Sequence, residues 1–139
     1  MQSSQRRLLG EALLALLMAR GAMAFLPFRR IAAWLGTPGA ESPATAAAEE
    51  IQTAQEVGWA VEAVARRVPW DGRCLAQALA ATAMLRRRGL EGTVSFGACP
   101  GESAEFDAHA WLRLGSCMVT GGADIEHFKI FTTFARRRP

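Results

Sequence analysis

The spacing of apolar residues changes character near residue 90, and that change constrains the fold more than any other feature of the chain. Before it, Ile51, Ala54, Val57, Gly58, Val61, Val64 and Ala65, then Leu75, Ala78, Leu79, Thr82 and Leu85, recur three and four apart. That repeat puts one apolar face on a helix. Beyond it, residues 93–97 and 109–114 alternate, placing Ala110, Leu112 and Leu114 on one side of a strand and His109, Trp111 and Arg113 on the other. Helices followed by a helix packed on antiparallel strands predict the α+β class.

Breakers set the boundaries. The helix over 45–68 should stop before Pro69, because the residue preceding a proline is pushed out of helical geometry. Asp71 is placed to cap the next helix, and Gly89, after three arginines, to end it, which puts Cys74 in the first turn. A loop over 99–103 follows the first strand. A turn at Gly115-Ser116 leads into Cys117–Thr120, and 130–134 adds a last short strand. Upstream, 28–35 reads as a second short helix, and 36–43, rich in Gly and Pro, as a linker. The chain therefore divides near residue 40 into an N-terminal helical region (1–40, for packing or partner docking) and a core (41–139).

At the N-terminus, Arg6-Arg7, an apolar run over 8–28 and the triplet Ala22-Met23-Ala24 imitate a secretory signal. Glu11 and Arg20 interrupt the run, while Leu9, Leu13, Leu16 and Leu17 recur at helical spacing. We expect a buried or partner-facing helix, ended or bent at Pro27, and not a membrane span. A length of 139 residues with half of them apolar suits one hydrophobic core. The net charge of +3 comes from short arginine clusters, which read as solvated helix ends and argue against nucleic-acid binding. Cys74, Cys99 and Cys117 make neither a disulfide framework nor a metal motif. No metal or organic cofactor is expected, and a reducing cytoplasm is the simplest compartment.

Cys74 carries the chemical expectation. A cysteine at a helix start meets the positive end of the helix dipole, which favours thiolate over thiol, and His109, from a strand, can pair with it. A lone cysteine opening an apolar helix is otherwise a small buried hydrophobe. Cys99 and Cys117 have no matching base. Trp34, Trp59 and Trp70 read as packing residues, and Trp111 as core that also walls the His109 side.

The strings Pro69-Trp70-Asp71-Gly72-Arg73-Cys74-Leu75-Ala76-Gln77-Ala78, Leu85-Arg86-Arg87-Arg88-Gly89-Leu90, Ala108-His109-Ala110-Trp111 and Val119-Thr120-Gly121-Gly122 together resemble the stand-alone leader peptidases of lasso peptide biosynthesis, within the transglutaminase-like superfamily. The likeness runs from about residue 55 to the end, and Leu26-Pro27-Phe28-Arg29-Arg30 also looks like that family's N-terminal region. It implies a papain- or transglutaminase-like core with a cysteine-bearing helix packed on a small antiparallel sheet. The activity implied is a cytoplasmic cysteine peptidase that removes the leader from a ribosomally made precursor. The implied partners are the leader peptide, a separate winged-helix recognition protein and an ATP-dependent cyclase that uses the freed amine.

Under that resemblance Cys74 is the nucleophile and His109 its acid–base partner. Such sites orient the histidine with an acid on the next strand, but here that strand reads Cys117-Met118-Val119-Thr120. Asp124, just beyond, is the expected third member. Asp107 is its rival, and a backbone carbonyl or Thr120 are further options. His127 reads as a surface or partner-contact residue.

Overall fold

The computed structural model describes residues 3–68, 74–100, 106–121 and 129–136. In chain order these form α1 (Ser3–Phe25), α2 (Phe28–Leu35), β1 (Thr37–Pro38), α3 (Ala48–Ala65), α4 (Cys74–Arg87), β2 (Thr93–Pro100), β3 (Phe106–Leu114), β4 (Cys117–Thr120) and β5 (Lys129–Ala135). The architecture is α+β, as the change of apolar period predicts. One antiparallel sheet has the order β1-β5-β2-β3-β4. The last strand in sequence is thus interior to the sheet, and β4 lies at one edge.

Local chemistry accounts for the ends of the helices. At the start of α3 the Glu50 carboxylate accepts the Ala47 N–H (3.0 Å), one half of a capping box whose other half alanine cannot supply. At the end of α4, Gly89 takes φ 75°, and the bonds Gly89 N–H to Arg86 O and Leu90 N–H to Leu85 O (both 3.0 Å) satisfy carbonyls the helix leaves over. This is the Schellman closure, and it needs the left-handed conformation that glycine adopts without strain.

One sheet face carries the core. Val94, Phe96, Ala110, Leu112 and Phe134, in register across β2, β3 and β5, pack with Leu16 of α1, Val57 and Val61 of α3, and Leu79, Met84 and Leu85 of α4. Gly58 of α3 meets the Val119 carbonyl so closely that an added Cβ would collide with it, so this glycine lets α3 lie against β4.

Several expectations are corrected. The segment over 36–43 is more than a linker. Its residues Thr37 and Pro38 pair with β5, and the stretch after them is strapped over the second sheet face. Thr133 Oγ1 donates to Ala40 O (2.8 Å), the Ser42 amide donates to Thr93 Oγ1 (2.8 Å), and Arg113 reaches Ser42 O, Pro43 O and Glu41. Cys99 and Pro100 extend β2 instead of opening a loop, because they pair with Asp107 and Phe106. The α3 helix starts at Ala48, three residues later than the pattern suggested.

Arg6, Arg7, Arg29, Arg30, Arg66 and Arg67 are exposed as expected, but Arg86 is more than a solvated end. Arg86 donates to Trp34 O (2.6 Å) and Leu35 O (2.7 Å), lies over the Trp34 ring and pairs with Glu91. Burial pushes its guanidinium below the ordinary arginine value. Trp34 and Trp59 are both nearly half exposed, so neither is a core residue. Trp70 and Asp71 lie outside the described residues.

In α1, Leu16 is fully buried, while Leu13 and Leu17 face solvent. The packed stripe is Ala12, Leu16 and Ala19, flanked by the partly buried Leu8, Leu9, Ala15 and Met23.

Candidate active site

Cys74 is the first residue of α4, so its side chain projects from the end of the helix where backbone N–H groups have no intrahelical acceptor. Helix α4 is held against β3 and β4 by Ala76, Leu79 and their neighbours, which fixes where that end meets the sheet. Strand β2 pairs with β3 along all of β3 except Leu114, whereas the described pairing of β4 stops at Thr120 opposite Leu112. Just past that point the Ala110 N–H donates to Cys74 Sγ at 3.3 Å. The sulfur therefore lies at the strand edge, level with the backbone of β3 and one residue from His109. A thiolate gains from this donor, because an N–H pointed at sulfur stabilises its charged form.

His109 stands on the sheet face opposite Ala110. Its ring stacks on that of Trp111, two residues along the strand, with centroids 5.9 Å apart. Trp111 is itself buried, so the imidazole rests on a fixed wall. Nε2 of His109 lies 2.9 Å from the Gly121 carbonyl oxygen. A carbonyl only accepts, so Nε2 carries the proton in this bond and Nδ1 is the basic nitrogen of the neutral ring. Ring plane and tautomer are thereby both set by neighbouring atoms.

Gly121 has a structural reason to be glycine. It takes φ 69°, and a Cβ built there would lie 2.7 Å from Ala110 O, 3.1 Å from Trp111 Cβ and 3.2 Å from His109 Nε2. Any other residue would press on the histidine that this carbonyl orients.

Of the sequence-predicted residues, Cys74 and His109 are brought to one strand edge, Cys74 through the amide of the residue that follows His109. Asp124 and His127 lie outside the described residues. The backbone of Asp107 is in β3 opposite Cys99, and its side chain is also outside what is described. Thr120 turns a buried hydroxyl inward, without a hydrogen-bond partner among the described residues, and its register with Leu112 places it on the core face away from His109. Among the described residues, a backbone carbonyl, that of Gly121, lies on Nε2 of the histidine. The sequence signal for it was the pair Gly121-Gly122 directly after a strand.

Cys117 is separate from this arrangement. It is a free thiol in β4, and burial pushes its pKa above the ordinary value, which keeps it protonated and a poor nucleophile.

A family model described as the transglutaminase-like superfamily matches residues 22–133, most of the chain. No curated protein and no solved structure matches it. The chain belongs to the transglutaminase-like superfamily, whose members are usually cysteine-based enzymes.

Proposed function

We propose that this member of the transglutaminase-like superfamily is a cysteine peptidase that removes the leader from a lasso peptide precursor, with Cys74 as nucleophile and His109 as acid–base partner. The observation that carries the reading is the Ala110 N–H to Cys74 Sγ bond beside an imidazole held by the Gly121 carbonyl. The motifs flanking both residues support the choice of substrate.

In this mechanism the thiolate attacks the scissile carbonyl carbon and a C–S bond forms. The C–N bond breaks as the imidazolium gives its proton to the departing amine, which is the new N-terminus of the core peptide. Water, deprotonated by the neutral imidazole, then attacks the thioester, releasing the leader as a free acid and restoring the thiol. Throughout, Nε2–H stays on Gly121 O, so proton traffic falls to Nδ1. The Gly121 carbonyl orients the ring but brings no negative charge, and an acidic third member would add electrostatic support.

Asp124 remains our candidate for a further group approaching from beyond Gly121. Precursor delivery by a separate winged-helix recognition protein, consumption of the product amine by an ATP-dependent cyclase, and a cytoplasmic setting complete the proposal.

The test is mass spectrometry of precursor incubated with the recognition protein and either wild type or Cys74→Ala. We expect a leader fragment with wild type alone. A leader joined to an added amine would instead identify an acyl transferase. Equal cleavage by Cys74→Ala would remove Cys74 from the reaction.

A further inference from the structure

Helix α1 is apolar on nearly all sides, yet only its inner stripe is covered. Its outer side carries Leu13 (41 % exposed), Leu14 (59 %), Leu17 (45 %) and Met18 (67 %), and at its end the corner into α2 presents Phe25 (87 %). A helix apolar all round belongs in a protein interior or in lipid, and this one has only half of such a surrounding. By length and composition Ser3–Phe25 is apolar enough to cross a membrane. It does not stand free to do so. Ala12 and Leu16 are fully buried, and Glu11 accepts two bonds from Arg88 of α4 (2.8 and 2.7 Å). Spanning would strip these groups from the core, whereas lying along a surface leaves them in place.

Charge indicates which surface. Arginines border the open stripe at both ends, Arg6 and Arg7 before it and Arg20, Arg29 and Arg30 after it, all exposed. The only acid among residues 1–40 is Glu11, and it faces inward, paired with Arg87 and Arg88. The outer face thus combines apolar side chains, an aromatic corner and positive charge with no exposed carboxylate. Its stripe also has no side-chain hydrogen-bonding group, which a protein partner normally needs for register and a lipid surface does not. We propose that the outer side of α1 and the Phe25 corner form a docking surface for an anionic lipid membrane. There α1 lies in the interface with its leucines toward the acyl chains and its arginines among the headgroups. This goes beyond the sequence-based expectation of a buried or partner-facing helix that does not span a membrane, and it is independent of the reaction at Cys74.

The experiment is co-sedimentation of the intact chain with vesicles of phosphatidylcholine alone and of phosphatidylcholine with phosphatidylglycerol. We expect binding to the anionic vesicles that weakens with salt. Leu14→Glu with Leu17→Glu should abolish it while leaving the unfolding temperature within a few degrees of wild type, since both side chains already face solvent. Arg6→Gln with Arg7→Gln should weaken it by roughly fivefold per arginine while the leucine-dependent part persists. Two results would overturn the proposal: wild type staying in the supernatant with both vesicle types, or binding that the leucine variants do not change. Self-association of the free chain that the leucine variants abolish, without vesicle binding, would assign the face to a second copy instead.

Discussion

Helices α1 and α4 are built from the same few residue types and meet very different surroundings. The 14-residue α4 buries Ala76, Ala78, Leu79, Ala80, Ala81, Thr82, Met84 and Leu85, whereas the 23-residue α1 buries only Ala12, Leu16 and Ala19. The difference is position. Helix α4 packs against α1 and α3 and against β3 and β4, while α1 rests mainly on α3 and α4 and turns its other side outward. An enclosed helix can hold a reactive side chain at its end in a fixed place, and an outer helix is free to meet something else. The protein thus keeps its proposed chemistry on the rigid element and its proposed docking on the exposed one.

The largest effect should come from the enclosed helix. Cys74→Ala should remove precursor cleavage altogether while leaving thermal unfolding within a few degrees of wild type, because a small side chain at a helix start contributes little packing. Cleavage measured beside a melting curve separates the two. Loss of fold in this variant would show that the end of α4 is held by Cys74 itself, and would blur the contrast.

Next in size is Gly121→Ala. The added Cβ would press on Ala110 O and His109 Nε2, and the residue would have to keep a positive φ. Turnover should fall at least about tenfold with little change in KM, since the misplacement affects orientation of the catalytic ring more than leader binding. Wild-type turnover in this variant would remove the Gly121 carbonyl as the orienting group.

Within α1, adjacent residues give the most direct test of the comparison. Leu16→Ala should cost about 2 to 5 kcal/mol in denaturant unfolding, as other fully buried leucines do, and Leu17→Ala less than about 0.5 kcal/mol. Similar costs for the two would mean that the outer side of α1 is covered in solution.

The smallest effect concerns the tie between the two helices. Hydrogen bonds from Arg88 hold the Glu11 carboxyl below its ordinary value of 4.5. A carboxyl depressed on folding contributes stability that is complete above its unfolded pKa and is lost as pH falls through the lower folded one. Glu11→Gln should therefore cost about 1 kcal/mol at neutral pH and remove part of the wild-type loss of stability below about pH 4.5. Identical acid unfolding of wild type and variant would sink this assignment.

Legibility in the sequence followed the range of each interaction. The end of α4 was readable because a Schellman closure involves only residues 85–90 and one glycine. The two faces of β3 were readable because alternation is a property of the strand itself, and the His109–Trp111 stack follows it. The strap over 39–43 was not readable, since its meaning comes from Thr93, Arg113 and Thr133, between 51 and 93 residues away in the chain. The half-exposed positions of Trp34 and Trp59 were not readable for the same reason, because a large apolar side chain does not announce whether its helix is an inner or an outer layer. The partner of His109 was open between an acid, a hydroxyl and a carbonyl, and only the placement of Gly121 beside Ala110 brought the carbonyl to Nε2.

By itself, the sequence determined the α+β class, the positions of most elements, and the placing of one cysteine at a helix start and one histidine on a strand. These rest on periodicity, turn residues and local motifs, each of which acts over a few residues. Tertiary structure decided that β5 lies inside the sheet, that Arg86, Arg88 and Arg113 are ties within the fold, that a backbone carbonyl holds His109, and that α1 keeps one apolar side open. Each of these depends on what lies opposite a residue in space, and a one-dimensional pattern carries the face a side chain takes but not the neighbour that face will meet.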